Sequence, residues 1–305
     1  MKVFVTGGTG YIGNAVVAAL CRAGHDVSAL TRRLDTSGLI ERFGARAVKG
    51  DIAEPEGLAP FVKKADAVIH AAAEPSPEMG AIDRRLVAVL LDAVAESDGL
   101  RRFVYTSGVW VLGDTGGRMV DESAPTANAT PMVAWRPAVE GMIGNGMARG
   151  ITAWIIRPGL VYGGSGGITA TMWAAAEKEG AIRIVGEGNN HWALVHRDDL
   201  ADLYVRCVEQ APAGHVFNAT DSSRLSVRVI AGALSRAAGH QGTVVSTPLD
   251  EARAHLGPFA DALALDQEVS GVLAERLLGW EPRHRSLVGE AEALYRAYKA
   301  GGSGR

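Results

Sequence analysis

The chain is 305 residues long, with 47% hydrophobic and 21% charged residues, and this composition excludes wholesale disorder. Its 31 basic and 34 acidic residues give a net charge of −3, which indicates neither a nucleic-acid footprint nor a polybasic membrane patch. Two cysteines cannot form a disulfide framework, and residues 1–5 lead into a glycine-rich turn without an apolar leader segment. We therefore expect a cytoplasmic protein that binds no nucleic acid and no membrane.

Short apolar runs alternate with helical patterns through the first half of the chain. The apolar runs lie at residues 3–5, 27–30, 67–69, 103–105 and 153–156, and the clearest helical patterns at 12–23 and 81–97. Because the runs do not alternate with polar residues, they are typical of parallel strands that are covered on both faces. The order predicts an α/β fold, namely a Rossmann-type doubly wound parallel sheet.

The domain organisation is predicted from the place where this alternation loosens. After about residue 162, Gly and Pro interrupt the pattern. We predict a cofactor-binding domain over residues 1–165, rejoined by about 196–221, and a smaller C-terminal substrate-binding lobe over 166–300. Residues 301–305, Gly-Gly-Ser-Gly-Arg, have the composition of a flexible tail.

A glycine-rich turn lies between the first predicted strand and the first predicted helix. Its glycines allow a tight turn, the approach of a pyrophosphate to the backbone, and close packing of the helix on the strand. The helix N-terminus then offers free N–H groups to the phosphates. A turn of purely structural glycines is the alternative. The predicted dinucleotide contacts are Gly7, Thr9, Gly10, Tyr11, Ile12 and Gly13.

The end of the second strand indicates which dinucleotide binds. NAD sites usually carry an acid here that accepts from the ribose 2′-hydroxyl. This chain has Thr31 followed by Arg32 and Arg33, and guanidinium groups pair with a 2′-phosphate, so NADP is favoured over NAD. Two alternatives stay open: both arginines are solvated surface charges, or Asp35 reaches the ribose.

Six segments resemble the extended short-chain dehydrogenase/reductases, the NAD(P)-dependent epimerase/dehydratase family. They lie at residues 6–13, 68–73, 103–107, 157–163, 195–201 and 278–282, and the resemblance covers roughly residues 1–298. It implies a Rossmann domain with a small C-terminal substrate lobe, and a homodimer built on two helices per subunit. The further cofactor positions are Asp51, which is placed to accept from the adenine amino group, and Ile52, Ala71, Ala72, Ala73, Pro158 and Leu160.

The family's proton-transfer residues are replaced in this chain. Members use a Ser or Thr, the Tyr and Lys of Tyr-x-x-x-Lys, and often an Asn. Counting along the matching segments puts Gly108 at the hydroxyl position, Met132 at the Tyr position, Arg136 at the Lys position and Asp83 at the Asn position. The resemblance is thus to an atypical branch with a degenerate site, in which Ser107 lies one residue before the hydroxyl position.

These replacements limit the chemistry that the site can perform. Methionine cannot exchange a proton, and Arg136 keeps its charge, so it can grip the cofactor ribose or stabilise an oxyanion. Asp83 is the nearest candidate proton donor, and Ser107 could hydrogen-bond the substrate. Alternatively, Asp83 is a helix N-terminal cap or a first-turn acid, and Arg136 pairs with Glu140 on its own helix.

The predicted substrate pocket is largely apolar. Relatives that act on nucleotide sugars usually carry an Arg for the diphosphate at the position of Trp192, and a neutral indole cannot pair with a diphosphate. We therefore expect a small, apolar substrate, although several of these aromatic residues could belong to the core. The spacing of Cys and His predicts no metal site. The predicted pocket residues are Glu74, Trp110, Met132, His191 and Trp192.

The sequence thus predicts an NADP(H)-dependent oxidoreductase that transfers a hydride to or from a carbonyl, imine or activated double bond. Two further hypotheses stay open. One is an epimerase, lyase or cyclase with a retained cofactor, and the other is a non-catalytic redox sensor that binds NADP(H).

Overall fold

The computed structural model describes residues 1–74, 76–210, 212–221 and 223–302. Five of its strands match the five predicted apolar runs to within one or two residues at each end. The strands are β1 Lys2–Thr6, β2 Asp26–Thr31, β3 Arg46–Lys49, β4 Ala67–His70, β5 Arg102–Thr106, β6 Met119–Val120, β7 Thr152–Pro158, β8 Leu160–Tyr162, β9 Ile182–Val185, β10 Leu194–His196, β11 Val216–Ala219, β12 Val244–Thr247 and β13 Glu268–Val269.

The helices lie between these strands and after them. They are α1 Tyr11–Arg22, α2 Gly38–Glu41, α3 Ala59–Val62, α4 Met79–Ala95, α5 Arg136–Gly146, α6 Gly167–Glu179, α7 Arg197–Gln210, α8 Val227–Ala237, α9 Leu249–Leu256, α10 Pro258–Ala264, α11 Val272–Leu278 and α12 Leu287–Gly302. None of the helices in the described ranges combines the length and the apolar character needed to cross a bilayer.

A seven-stranded sheet organises the fold, in the order β11-β7-β5-β4-β1-β2-β3. Every neighbouring pair in it is parallel. From β1 the chain builds outward through β2 to β3, and then restarts at β4 on the other side of β1. In sheets of this kind, ligands bind outside the carboxyl ends of the strands at the point where the order reverses. The predicted doubly wound, Rossmann-type α/β sheet is confirmed.

Helices cover both faces of this sheet, which is why its strands are apolar throughout. Side chains alternate across a strand, so Val5 and Ile69 pack with α1 and α7, while Phe4 and Val68 pack with α4 and α5 on the other face. The carboxyl edge of the sheet is left for the loops that form the candidate site.

A separate hydrophobic core lies in the C-terminal part of the chain, which we call the lobe. It is built from α6, α8, α12 and the small parallel sheet of β9 and β12 around the fully buried Trp173. The last helix runs to Gly302, so the first two residues of the predicted tail are helical. The rest of the predicted tail lies outside the described residues.

Candidate active site

The glycine-rich turn between β1 and α1 is as tight as its residues predict. Gly7 has a φ of +75°, and a Cβ atom there would lie 2.8 Å from the carbonyl oxygen of Ala71 at the end of β4. A Cβ atom on Gly13 would lie only 2.1 Å from the carbonyl oxygen of Gly7. Helix α1 begins at Tyr11 without a side-chain cap, so its first-turn N–H groups face the cleft. This cradle fits a pyrophosphate.

The side chain of Tyr11 also contacts the loop that follows β8. Its hydroxyl donates to the carbonyl oxygen of Gly163 at 2.7 Å, and a Cβ atom on Gly166 would lie 2.6 Å from its ring. Burial raises the pKa of the Tyr11 phenol, which stays protonated as this donor. The side chain of Tyr11 therefore holds the loop after β8 against the glycine turn.

Two guanidinium groups stand exposed at the carboxyl end of β2, each beside an acid. Arg32 Nη1 lies 2.7 Å from Glu74 Oε1, and Arg33 Nε donates to Asp35 Oδ1 at 3.0 Å. Asp35 is thus held by Arg33. Glu74, which we predicted in the substrate pocket, instead pairs at the β2 end of the cleft, because the loop after β4 turns toward that side. A 2′-phosphate would compete with both carboxylates for these arginines.

The remaining predicted cofactor residues lie along the same edge. Asp51 follows β3 and accepts from the backbone N–H of Ala53 at 2.9 Å, while Ile52 is buried in the core. Pro158 ends β7, and a Cβ atom on Gly108 would lie 3.9 Å from its carbonyl oxygen. The other positions are Thr9 and Gly10 in the glycine turn, Ile12 in the first turn of α1, Ala72 and Ala73 after β4, and Leu160 at the start of β8.

A chain of buried hydrogen bonds runs from the end of β1 to Arg136. Thr6 Oγ1 lies 2.7 Å from His70 Nδ1, and His70 Nε2 lies 2.7 Å from Asp83 Oδ1. The Tyr105 hydroxyl donates to Asp83 Oδ2 at 2.7 Å, and Arg136 Nη1 donates to that hydroxyl at 3.1 Å. We call this the Arg136 chain. Three strands and two helices contribute to it, because β1, β4 and β5 are neighbours in the sheet and α4 and α5 pack on them.

This burial corrects the role that we predicted for Asp83. Its side chain is 1% exposed, and both carboxylate oxygens are occupied within the Arg136 chain. Tyr105 is 0% exposed, and burial raises the pKa of its phenol. Neither group has a surface from which to donate a proton directly to a substrate. Asp83 is neither a helix cap nor a first-turn acid, since α4 begins at Met79 and Asp83 lies in its second turn.

Ser107 belongs to a second buried network. Its hydroxyl donates to Glu140 Oε1 at 2.5 Å, and Glu140 Oε2 accepts from Arg157 Nη2 at 2.6 Å. Arg136 therefore does not pair with Glu140, because Arg157 on β7 occupies that carboxylate. The Ser107 hydroxyl proton is engaged, so the predicted contact between Ser107 and a substrate would require this bond to break.

Gly108 and Met132 stand at the predicted hydroxyl and Tyr positions. Gly108 has an extended backbone with φ of 179°, and Met132, in the short turn before α5, is 42% exposed. No ionisable group stands at either position. The arrangement can hold a cofactor and place a fixed positive charge beside it.

The predicted pocket aromatics are mostly packed. Trp192 is 5% exposed and donates its indole N–H to the carbonyl oxygen of Leu263, which makes it part of the lobe core rather than a pocket wall. Trp110 packs edge-on against Phe259 with ring centroids 5.8 Å apart. His191 is half-buried and its Nδ1 lies 2.9 Å from Asp266 Oδ1.

Possible metal ligands within the described ranges meet at His196, Asp199 and His284, with donor atoms within 4.8 Å of one another. Each already has a partner. His196 Nδ1 accepts from a backbone N–H, Asp199 Oδ2 accepts from the His284 backbone, and His284 Nδ1 pairs with Glu290 at 2.5 Å. The two imidazole rings stack 3.6 Å apart, so their in-plane lone pairs do not converge. The cluster therefore connects α7 to the segment before α12 through hydrogen bonds and ring stacking.

Sequence reasoning placed Tyr105 in a strand and His70 only in a segment of family resemblance, and it missed the hydrogen bonds of both. His70 ends β4 and Tyr105 is the penultimate residue of β5, and a polar side chain among the apolar neighbours of a buried strand is the available signal. The pairing of Glu140 with Arg157 was also missed, since nothing local connects a helix residue to a strand 17 positions later.

Comparison with known proteins identifies relatives over most of the chain. The sequence model of the NAD dependent epimerase/dehydratase family matches residues 3–220. An uncharacterised protein of Schizosaccharomyces pombe is 27% identical over 296 residues, which are 94% of this chain and 97% of that protein. A 4-hydroxy-2-methyl-3-oxo-4-farnesyl-3,4-dihydroquinoline-1-oxide ketoreductase of Stigmatella aurantiaca is 27% identical over 268 residues, 84% of this chain and 80% of that protein.

A solved structure with the same fold is human epimerase family protein SDR39U1 with NADPH. It has a TM-score of 0.79 and 20% sequence identity, and the match covers 97% of this chain and 99% of that one. The likeness to it supports the fold. Because the family's sequence model spans the chain from β1 to just beyond β11, this chain belongs to the NAD dependent epimerase/dehydratase family.

Proposed function

We propose that this chain is an NADP(H)-dependent oxidoreductase that transfers a hydride to or from a carbonyl, imine or activated double bond of a small apolar molecule. When bound, the nicotinamide supplies or accepts that hydride. The observation that carries the proposal is the uncapped glycine cradle, connected through the Arg136 chain to a fixed guanidinium. The ketoreductase relative supports the reductase class.

In this proposal Met132 and Arg136 stand where the family has its Tyr and Lys. Arg136 binds the cofactor ribose and stabilises negative charge that develops on the substrate oxygen or nitrogen. Since Asp83 is enclosed and methionine cannot ionise, water supplies the proton. Losing a positioned general acid costs about 10²–10⁴-fold in rate, which an already activated electrophile such as an iminium ion tolerates.

The preference for NADP rests on Arg32 and Arg33, which stand at the end of β2 with a threonine, not an acid, before them. Solved structures of this fold hold either NADPH or NAD, so the proposed preference depends on these arginines. We expect that replacing both arginines by alanine weakens NADPH binding by about 10–100-fold and leaves NADH binding unchanged. Arg46→Ala, which also removes an exposed guanidinium group but at the amino end of the neighbouring strand β3, is the control.

Binding is measured by titration of nicotinamide fluorescence. Equal affinities for NADPH and NADH in the unmodified protein would refute the NADP preference. A loss of affinity for both cofactors on removing Arg32 and Arg33 would show that these residues do not read the 2′-phosphate.

Turnover is tested by NADPH absorbance with aromatic ketones, cyclic imines and conjugated enones, combined with mass spectrometry of the organic products. We expect NADPH consumption with at least one class. Product formation without net cofactor oxidation would favour the epimerase or lyase hypothesis. Tight NADPH binding without any product would favour a redox sensor.

Several sequence predictions stay predictions within this proposal. They are the homodimer, the cytoplasmic location, the use of the lobe for substrate binding, and the domain boundaries near residue 165. Size-exclusion chromatography with light scattering tests the homodimer directly.

A further inference from the structure

We infer that Tyr105 and Asp83 are positioning residues that hold the Arg136 guanidinium at the cofactor edge of the sheet, an inference that rests on the role proposed above for Arg136. The Tyr105 hydroxyl lies 3.1 Å from Arg136 Nη1 and 2.7 Å from Asp83 Oδ2. Both side chains are 1% exposed or less, so neither touches a substrate. Whatever they contribute to the reaction passes through Arg136.

The chemistry of the two ends sets the direction of these hydrogen bonds. A guanidinium group can only donate, and an ionised carboxylate can only accept. The Tyr105 hydroxyl between them therefore donates to Asp83 and accepts from Arg136. It joins a cation to an anion in one orientation, and hydrogen bonds to charged groups in a buried site are stronger than neutral ones.

Asp83 is itself held on its other oxygen. His70 Nε2 lies 2.7 Å from Asp83 Oδ1, and the opposite ring nitrogen bonds to Thr6, the last residue before the glycine turn. The carboxylate cannot rotate without breaking one of its two bonds. The anchor beneath Arg136 is consequently as rigid as the strands β1, β4 and β5 that carry it.

Two further contacts complete the support of Arg136. Its Nη1 donates to the carbonyl oxygen of Thr106 at 2.5 Å, and its guanidinium carbon lies 4.4 Å from the centre of the Trp135 ring. Trp135 is fixed in turn, since a Cβ atom on Gly80 would lie 2.8 Å from its Cγ. Among the described residues Nε and Nη2 of Arg136 have no hydrogen-bond partner, so they are available to the cofactor or the substrate.

A double-mutant cycle with NADPH as the probe tests this role without requiring a known substrate. We expect Arg136→Ala to weaken NADPH binding by about 30-fold and Tyr105→Phe by about tenfold. The double variant should bind no more weakly than Arg136→Ala, because the hydroxyl acts only through the guanidinium. Tyr204→Phe is the matched control: its equally buried hydroxyl lies 2.6 Å from Thr106 Oγ1, and its loss should leave NADPH affinity unchanged.

Asp83→Asn provides an independent variant in case Tyr105→Phe does not fold. The amide keeps an acceptor for Tyr105 but removes the charge, so we expect NADPH affinity to fall by about threefold in the wild-type background and not in the Arg136→Ala background. Thermal unfolding of each variant separates lost stability from lost binding.

The outcomes distinguish the two levels of the argument. Unchanged NADPH affinity in Arg136→Ala would refute the proposed cofactor contact. Weakened binding in Arg136→Ala, together with wild-type binding in Tyr105→Phe and Asp83→Asn, would refute only the positioning role. Fully additive losses in the double variant would also refute it, since a purely structural tyrosine acts independently of Arg136.

Discussion

Two buried groups near Tyr162 give the stability of this protein opposing dependences on pH. Burial raises the pKa of Asp221 from 3.8 to about 6, although the hydrogen bond from the Ser223 backbone N–H acts to lower it. Burial, and then the neighbouring His284, lower the pKa of His196 from 6.5 to about 4. Between pH 4 and 6 the folded state retains the Asp221 proton, so this contribution to stability falls as pH rises. Over the same range the unfolded state binds the His196 proton and the folded state does not, so the contribution of His196 to the free energy of unfolding rises with pH. Each is worth about 3 kcal/mol, and they nearly cancel.

Asp221→Asn removes the falling contribution and leaves the rising one. We therefore expect the free energy of unfolding of the variant, relative to wild type, to increase by about 2 kcal/mol between pH 4 and pH 7. Urea unfolding followed by circular dichroism across this range measures it. Asp98→Asn, at an exposed carboxylate, is the control and should parallel wild type. If the curves of Asp221→Asn and wild type ran parallel, the assignment of a raised pKa to Asp221 would be wrong.

Three further substitutions test the site and its supports. Gly13→Ala places a Cβ atom 2.1 Å from the Gly7 carbonyl oxygen, so NADPH binding should weaken at least about tenfold, whereas Gly57→Ala, with open space around it, should bind normally in the same fluorescence titration. Glu140→Gln leaves its buried guanidinium partner uncompensated and should cost about 3 kcal/mol in urea unfolding, and a loss below about 1 kcal/mol would contradict this. Gly141→Ala on the exposed face of α5 should raise stability by about 0.5–1 kcal/mol, and a lower melting temperature would argue against it.

The glycine turn and the sheet were predictable because they depend on neighbours in sequence. Gly7 and Gly13 are spaced for one turn of backbone, and a buried parallel strand requires apolar residues on both faces. Arg32 and Arg33 follow directly from the strand that carries them. In each case the physical cause acts over a few residues.

The side chains that meet at the carboxyl edge were decided by strand order and helix packing. Asp83 has the same sequence neighbours whether it faces solvent or Tyr105, and only the placement of α4 over β4 and β5 encloses it. We predicted Glu74 and Trp192 in the substrate pocket, but Glu74 pairs with Arg32 and Trp192 lies in the lobe core. The direction of the loops that carry them depends on contacts between residues distant in sequence.

Sequence by itself determined the central parallel sheet of this protein and the tight glycine turn between β1 and α1, since periodicity and glycine spacing act locally. Only the tertiary structure decided which polar groups share protons and charges. Hydrogen bonds reach about 3 Å, and residues separated by tens of positions come that close only after the whole sheet has assembled.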